Sequence, residues 1–269
     1  MSPFTSDRAR SLFSSAACAY LLAVLGLLGT AAARADEDAD PVISTGRPSV
    51  TDSSVVVPKG AVQIENGLLI TDTGAQHIVD LPESTVRYGL LRKTEVRLGL
   101  PDYFGTISGR RDQASGWSDI NIGLNQQLGP VAGTDFSIIG ILSMPTGGSA
   151  VTSGGYDPGI ELPWSRSIAT HWTIGGQIAN FWPTVNGTHI STAEVVGFVD
   201  RQFTSSWDCF LEYALDLPRG SDSRQLLHVG TSFKFSPRSQ IDFHVGHGLT
   251  RDAPNSIIGI GYSILFLPT

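Results

Sequence analysis

Read at every second position, the stretch TVRYGLLRKTEVRLGLPDY (85–103) separates into two faces. Val86, Tyr88, Leu90, Val96, Leu98 and Leu100 share one; Arg87, Glu95 and Arg97 share the other. A period of two belongs to a β-strand, whose side chains point alternately to the two sides of a sheet. The pattern continues along the chain. Ile120, Ile122, Leu124 and Leu128 oppose Asp119, Asn121, Asn125 and Gln127. Leu227, Val229, Phe233 and Phe235 oppose His228, Ser232 and Lys234, and Ile241, Phe243 and Val245 oppose Asp242 and His244. Strands are predicted over 61–70, 82–90, 93–101, 116–128, 134–144, 156–167, 170–181, 190–203, 206–216, 224–235, 238–247 and 255–267, about twelve in all. After residue 35 no segment has the 3.6-residue period of a helix, and no apolar run is long enough to cross a bilayer as one. The predicted fold class is all-β.

The connections narrow this further. LR (91–92), GPVAG (129–133), the links near 169 and 205, and SPRS (236–239) are short. Between them stand TDTGAQHIVDL, DYFGTISGRRDQASG, PTGGSAVTSGG, WPTVNGTH, LPRGSDSR and GLTRDAPN. Short and long links alternate as they do in outer-membrane barrels, where short turns face the periplasm and longer loops face outward. Tyr103, Phe104, Trp117, Trp164, Trp172, Phe181, Trp182, Trp207, Phe235 and Phe266 lie near strand ends, as interfacial girdles require. A soluble barrel would show the same alternation with its apolar face inward. The loop rhythm, the aromatics and the export signal described below favour lipid on the apolar face. We therefore expect a single antiparallel transmembrane β-barrel with its charge in the lumen, because Arg or Lys on the lipid face at mid-bilayer costs about 2–4 kcal/mol.

Composition agrees. Only 16% of the 269 residues are charged, against roughly 25% in soluble domains. The net charge of -7 offers no basic footprint, so no nucleic acid is expected as a partner. Residues 1–35 read as a cleaved signal peptide: Arg8 and Arg10, then the apolar run AACAYLLAVLGLL, then ARA at 33–35. Residues 36–60 are polar and turn-rich and read as a periplasmic N-terminal arm; 61–269 read as the barrel. With the signal removed, Cys209 is the one cysteine left, which excludes a disulfide framework in spite of export.

GRPSVTDSSVVVPKGAVQIENGL (46–68), STVRYGLLRKTEVRLGLPDY (84–103) and GWSDINIGLNQQL (116–128) resemble the bacterial outer-membrane family labelled as transporters of a meta-pathway of phenol degradation. Arg47, Pro48, Thr51, Pro58, Lys59, Gly60, Gln63, Glu65, Arg87, Tyr88, Gly89, Glu95, Arg97 and Asp119 match its motifs, over roughly the first half of the exported chain. The resemblance implies an outer-membrane barrel for uptake of aromatic or other hydrophobic compounds. One departure is the ending: outer-membrane barrels of this kind finish on an aromatic, whereas here Phe266 is followed by Leu267, Pro268 and Thr269.

Alternation points Glu65, Arg87, Glu95, Arg97, Asp119, Glu161, Glu212, Lys234, Asp242 and His244 into the lumen. Two readings stand: a paired network that fills a narrow bore, or a selectivity constriction of opposed charges. A five-residue turn at 236–240 would set Lys234 opposite Asp242 and Phe233 opposite Phe243. His228, His244 and His247 have no metal-ligand spacing, and no metal or cofactor is expected. The Gly-rich PTGGSAVTSGGYD lacks the Lys-Ser or Lys-Thr of a phosphate cradle, and NGT (186–188) reads as a plain turn. Pro163 implies a bulge or a shorter strand. The leading functional reading is a channel for passive uptake of small hydrophobic or aromatic solutes, and no enzyme. The alternatives are a plugged structural or partner-binding barrel, and an outer-membrane lipid hydrolase using Ser232 and His244. The implied partners are outer-membrane lipids, the barrel-insertion machinery and small-molecule solutes.

Overall fold

A computed structural model describes residues 41–107 and 115–268. The segment read as a signal peptide lies outside them. The strands are β1 (Val62–Asp72), β2 (His77–Leu81), β3 (Thr85–Leu91), β4 (Thr94–Gly99), β5 (Tyr103–Ile107), β6 (Gly116–Trp117), β7 (Ile120–Gln127), β8 (Asp135–Met144), β9 (Asp157–Ala169), β10 (Trp172–Phe181), β11 (Thr184–Val185), β12 (Thr188–His189), β13 (Thr192–Thr204), β14 (Trp207–Pro218), β15 (Arg224–Ser236), β16 (Ser239–Gly248) and β17 (Ser256–Phe266). Twelve of them, β1, β3, β4, β7, β8, β9, β10 and β13 to β17, pair antiparallel in sequence. β17 returns to β1 from Val62↔Phe266 to Asp72↔Ser256 and closes the barrel. Closure leaves no edge strand with unpaired backbone, the condition for a sheet to sit in lipid.

The two faces separate as the period of two requires. Tyr88, Leu90, Val96, Leu98, Leu211, Val229, Phe243, Ile258 and Ile260 are exposed on the outside. The buried residues are mostly polar or charged. A protein that folded in water around an apolar core would show the reverse.

Three neighbouring strands are interrupted at one level. β1 pairs with β3 near its start and with β2 near its end. Pro82 to Ser84 interrupt β2–β3, residues 100–102 interrupt β4–β5, and Ser118 and Asp119 interrupt β6–β7. Pro82 and Pro101 have no N–H to give a ladder, so the wall bends there. Side chains stitch the bend: Ser84 Oγ donates to Asn66 Oδ1 (2.7 Å), Ser84 N to Asp102 Oδ1 (3.1 Å) and Asp102 N to Ser118 Oγ (2.8 Å). Two segments that sequence reads as long loops, 71–81 and 102–116, thus contribute β2, β5 and β6 and raise the wall on this side.

Some other local expectations are corrected, and the turn at 186–188 holds. β15 and β16 join by a tight turn, so Lys234 pairs with Gln240, Phe233 with Ile241 and Ser232 with Asp242. Lys234 instead reaches Asp208, Nζ to Oδ2 at 3.6 Å. Pro163 lies inside a long β9: it pairs with Gln177 of β10, while the ladder with β8 skips from Phe136↔Trp164 to Ile139↔Glu161. The missing donor falls in that gap. NGT forms a two-residue hairpin turn between β11 and β12, with Asn186 and Gly187 both at positive φ. Phe181, read as a girdle aromatic, ends β10 on the inward side and lines a cavity.

Candidate functional site: the barrel lumen

Residues 41–60, which sequence assigns to a periplasmic arm, run inside the barrel. Ile43 N bonds the Pro237 carbonyl at the short-turn end (2.7 Å). The chain rises to Arg47–Asp52, crosses the bore and returns to Lys59, which bridges Gly89 before β1 begins. Ile43, Val57, Ala61 and Leu265 form an apolar cluster with Leu267 against it, sealing the end where the segment enters and leaves. Gly89 permits this corner: a Cβ there would overlap the Pro58 carbonyl oxygen.

The charged face of β3 and β4 is the grip on this segment. Arg87 is 1% exposed. Its Nε and Nη2 donate to the two oxygens of Glu95 (2.8 and 2.9 Å), and its Nη1 donates to Glu65 Oε1 (2.8 Å). The remaining donors reach the carbonyls of Ser44 (2.8 Å) and Val55 (3.1 Å), which belong to the inserted segment. All five guanidinium N–H groups are thereby used. Glu95 also accepts from Arg97 Nε (2.5 Å) and from Val57 N (2.7 Å). Arg97 Nη1 pairs with Asp52, and Glu65 accepts from Gly46 N (3.2 Å) and Gln63 Nε2 (2.7 Å). Charges alternate through Glu65, Arg87, Glu95, Arg97 and Asp52, so each buried ion has a counter-ion, without which burial costs several kcal/mol.

A second grip lies across the bore. Glu212 accepts from Ser49 Oγ, Val50 N (2.8 Å), Thr51 N (3.1 Å) and Thr51 Oγ1 (3.0 Å). Behind it His228 Nδ1 lies 2.9 Å from Glu212 Oε2, and His228 Nε2 lies 2.7 Å from His244 Nδ1. Arg47 pairs with Glu83 at 2.7 Å and approaches Asp242 at 3.8 Å. Asp52 N donates to Gln177 (3.0 Å), and the Ser54 and Ser165 hydroxyls lie 2.9 Å apart.

Nine of the ten residues read as inward are buried, and Lys234 is half-buried. Glu65, Arg87, Glu95 and Arg97 form one cluster; Glu212 and His244 belong to a second through His228; Asp242 stands beside Arg47. Glu161 is 5% exposed and its Oε2 has no hydrogen-bond partner. Asp119 acts apart from these clusters. Its carboxylate accepts from Gly147 N (2.8 Å), Thr152 Oγ1 (3.1 Å) and Ser153 N (3.2 Å) and holds the loop between β8 and β9. The hydrolase pairing is not formed, since Ser232 donates to Asp208 and His244 stands opposite Gly230. Sequence reasoning missed Arg47, Ser49, Thr51 and Asp52, which belong to the inserted segment, and Gln177, which accepts from it. For Ser49, Thr51 and Asp52 the composition signal was the run of Ser, Thr and Asp between 49 and 54, which also suits a solvated arm.

Above the segment the bore opens into a cavity of about 430 Å³ toward the long-loop end. Phe181, Ile141, Pro158 and Pro183 give it apolar walls, Thr85, Asn121, Ser143 and Asp157 polar ones, and Asp52 and Arg97 form its floor.

The model of the family described as "Putative MetA-pathway of phenol degradation" matches residues 45–266. The chain belongs to this family. The match starts inside the inserted segment and ends at the last barrel strand, so the family pattern includes both wall and filling. No curated protein matches the sequence. Among solved structures, the fold is similar to the COG4313 outer membrane channel from Pseudomonas putida F1, at 12% identity, covering 80% of this chain and 98% of that one, with a TM-score of 0.59. It is also similar to the NanC porin (9% identity, 76% and 98% covered, TM-score 0.54) and the KdgM porin (11%, 76% and 99%, TM-score 0.53). At such identities the likeness is one of fold: this family member has the barrel of outer-membrane channels and porins.

Proposed function

We propose that this barrel is an outer-membrane channel for passive entry of small hydrophobic or aromatic solutes, with its own N-terminal segment as the constriction. The cavity above that segment carries the reading. Its size falls in the range of about 300–1,000 Å³ usual for small-molecule sites. Its largely apolar exposed walls, with Asp52, Thr85, Arg97, Asn121, Ser143 and Asp157 as the polar groups, suit a ring bearing polar substituents better than a sugar, which needs hydrogen bonds all round. The lumen-facing Glu65, Arg87, Glu95 and Arg97 then act on solutes indirectly: they fix the segment that narrows the bore. Glu161, Glu212, Lys234, Asp242 and His244 line the remaining wall, and Asp119 shapes the outer mouth. Outer-membrane lipids surround the apolar face, and export with assembly by the insertion machinery follows from the same reading.

The density of bonds between segment and wall favours a second reading, a permanently plugged structural or partner-binding barrel. Solute entry into liposomes separates the two. The folded state is first checked by heat-modifiable gel mobility. Monoaromatics are expected to enter faster than sugars of similar mass, and deletion of 41–57 is expected to admit both. A folded wild-type barrel that passes no monoaromatic would leave the plugged reading.

A further inference from the structure

The outward rows of β9, β10, β13 and β14 are uncharged except at two positions, Arg166 and Arg201. Both are exposed. Each lies three residues from the end of its strand at the short-turn rim, Arg166 before Ala169 and Arg201 before Thr204. They therefore sit at one depth, close to where lipid phosphates lie, and there a cation on the lipid face costs only about 0–1 kcal/mol. β10 runs between them: Arg166 pairs with Ile174 and Arg201 with Trp172. Two strand spacings across and two residues along put their Cα atoms about 12 Å apart, within which two arginines can converge on one anion.

The surroundings present Arg201 rather than neutralise it. Its guanidinium carbon lies 5.0 Å from the Trp172 ring centroid and 5.2 Å from that of Phe203, and Phe203 stacks on Trp207 at 4.8 Å. Ring faces occupy the guanidinium plane and leave its N–H edge for an acceptor. These four strands carry no outward carboxylate to fill that role.

A second feature lies nearer the membrane centre. One row beyond Arg166 and Ile174, the register sets Trp164, Gly176, Gly197 and Tyr213 side by side. The two middle strands have no side chain there; the space over Gly197 is empty to 4 Å, whereas a Cβ on Gly176 would run into the Val196 carbonyl oxygen, so the opening lies over Gly197. This opening, between the rows of Trp164 and Tyr213, stands one outward row from Arg166 and two from Arg201, with Val199 between.

We propose that this face binds an anionic phospholipid of the periplasmic leaflet, its phosphate between Arg166 and Arg201 and an acyl chain over Gly197. The proposal uses the membrane orientation taken above but not the transport reading, so its failure leaves transport untouched.

Native mass spectrometry of the protein purified in detergent and titrated with phosphatidylglycerol or phosphatidylcholine tests it. Phosphatidylglycerol is expected to be retained preferentially. Arg166→Gln and Arg201→Gln should each lower its retention about fivefold, the equivalent of roughly 1 kcal/mol per cation near an anionic lipid surface. Gly197→Leu should lower retention of both lipids and leave their ratio unchanged. Inorganic phosphate should not displace the lipid. Equal retention by wild type and a folded double arginine variant would overturn the proposal, as would absence of any phosphatidylglycerol adduct on the wild type, or displacement by free phosphate.

Discussion

Glu95 meets two guanidinium groups and one backbone N–H with two oxygens. Its charge is what makes two neighbouring buried arginines tolerable. Glu95→Gln keeps the shape and removes the charge, so Arg87 and Arg97 retain only Glu65 and Asp52 as counter-ions. Breaking buried ion pairs in this way costs about 3–5 kcal/mol. The temperature at which the folded gel band converts to the unfolded one is expected to fall accordingly; an unchanged transition would mean that water already reaches the cluster. Glu212 makes a contrasting case, because most of its bonds go to the inserted segment rather than to the wall. Glu212→Gln is expected to speed amide hydrogen exchange at Val50 and Thr51 about tenfold, the effect of losing roughly 1.4 kcal/mol. Exchange along β14 and β15 should stay as it was, and a loss of protection spread over the whole barrel would show that Glu212 serves the wall instead.

At the scale of elements, glycines separate corners that need bare backbone from positions that merely happen to be small. A Cβ on Gly89 would run into the carbonyl oxygens of Pro58 and Val57, which cannot rotate away. Gly89→Ala is expected to destabilise by about 1–3 kcal/mol, as overpacking does. Gly140→Ala on β8 places its methyl in open space and should change stability by less than about 0.5 kcal/mol. Urea midpoints of the two variants, measured side by side in the same detergent, check both. The strands themselves were legible in sequence because lipid on one face and a polar bore on the other force a strict alternation. All twelve wall strands come from segments with that period. The breaks were less legible. Pro82 and Pro101 read as strand ends, whereas paired strands resume beyond them because Asn66, Asp102 and Ser118 supply bonds that the ladder lacks. Phe181 reads as an interfacial aromatic from its place near a strand end, but its parity along β10, in step with Gln177 and Ala179, carries it inward.

For the whole molecule, what sequence could not reveal was the occupant of the bore. Inward charges on β3 and β4 were identifiable from alternation, but beyond one another and Glu65 their partners lie at 44, 52, 55 and 57, in a segment with no period at all. A polar, turn-rich run has the same composition whether water or a polar lumen satisfies its backbone. Once inside, that segment decides whether the molecule conducts. The apolar cluster of Ile43, Val57, Ala61 and Leu265 closes the short-turn end, and Asp52 with Arg97 floors the outer cavity, so a solute entering from the long loops meets the segment before the exit. If passage requires the segment to move, tying it to the wall must stop passage. Ser54 and Ser165 allow such a tie: their hydroxyls are 2.9 Å apart, one on the segment and one on β9. With Cys209→Ser in the background to remove the free thiol, Ser54→Cys together with Ser165→Cys can form a disulfide if their backbones lie within bridging distance. Oxidation is expected to cut monoaromatic entry into liposomes at least about tenfold, the effect of raising the opening cost by roughly 1.4 kcal/mol or more, and reduction should restore it. If the oxidised, mass-verified cross-linked barrel conducts as well as the reduced one, solutes pass beside a stationary segment. Asn125, Ser137 and Glu161 on β7 to β9, and Asp242 and Ser263 on β16 and β17, hold buried polar atoms without protein hydrogen-bond partners, the places beside the segment where water would stand.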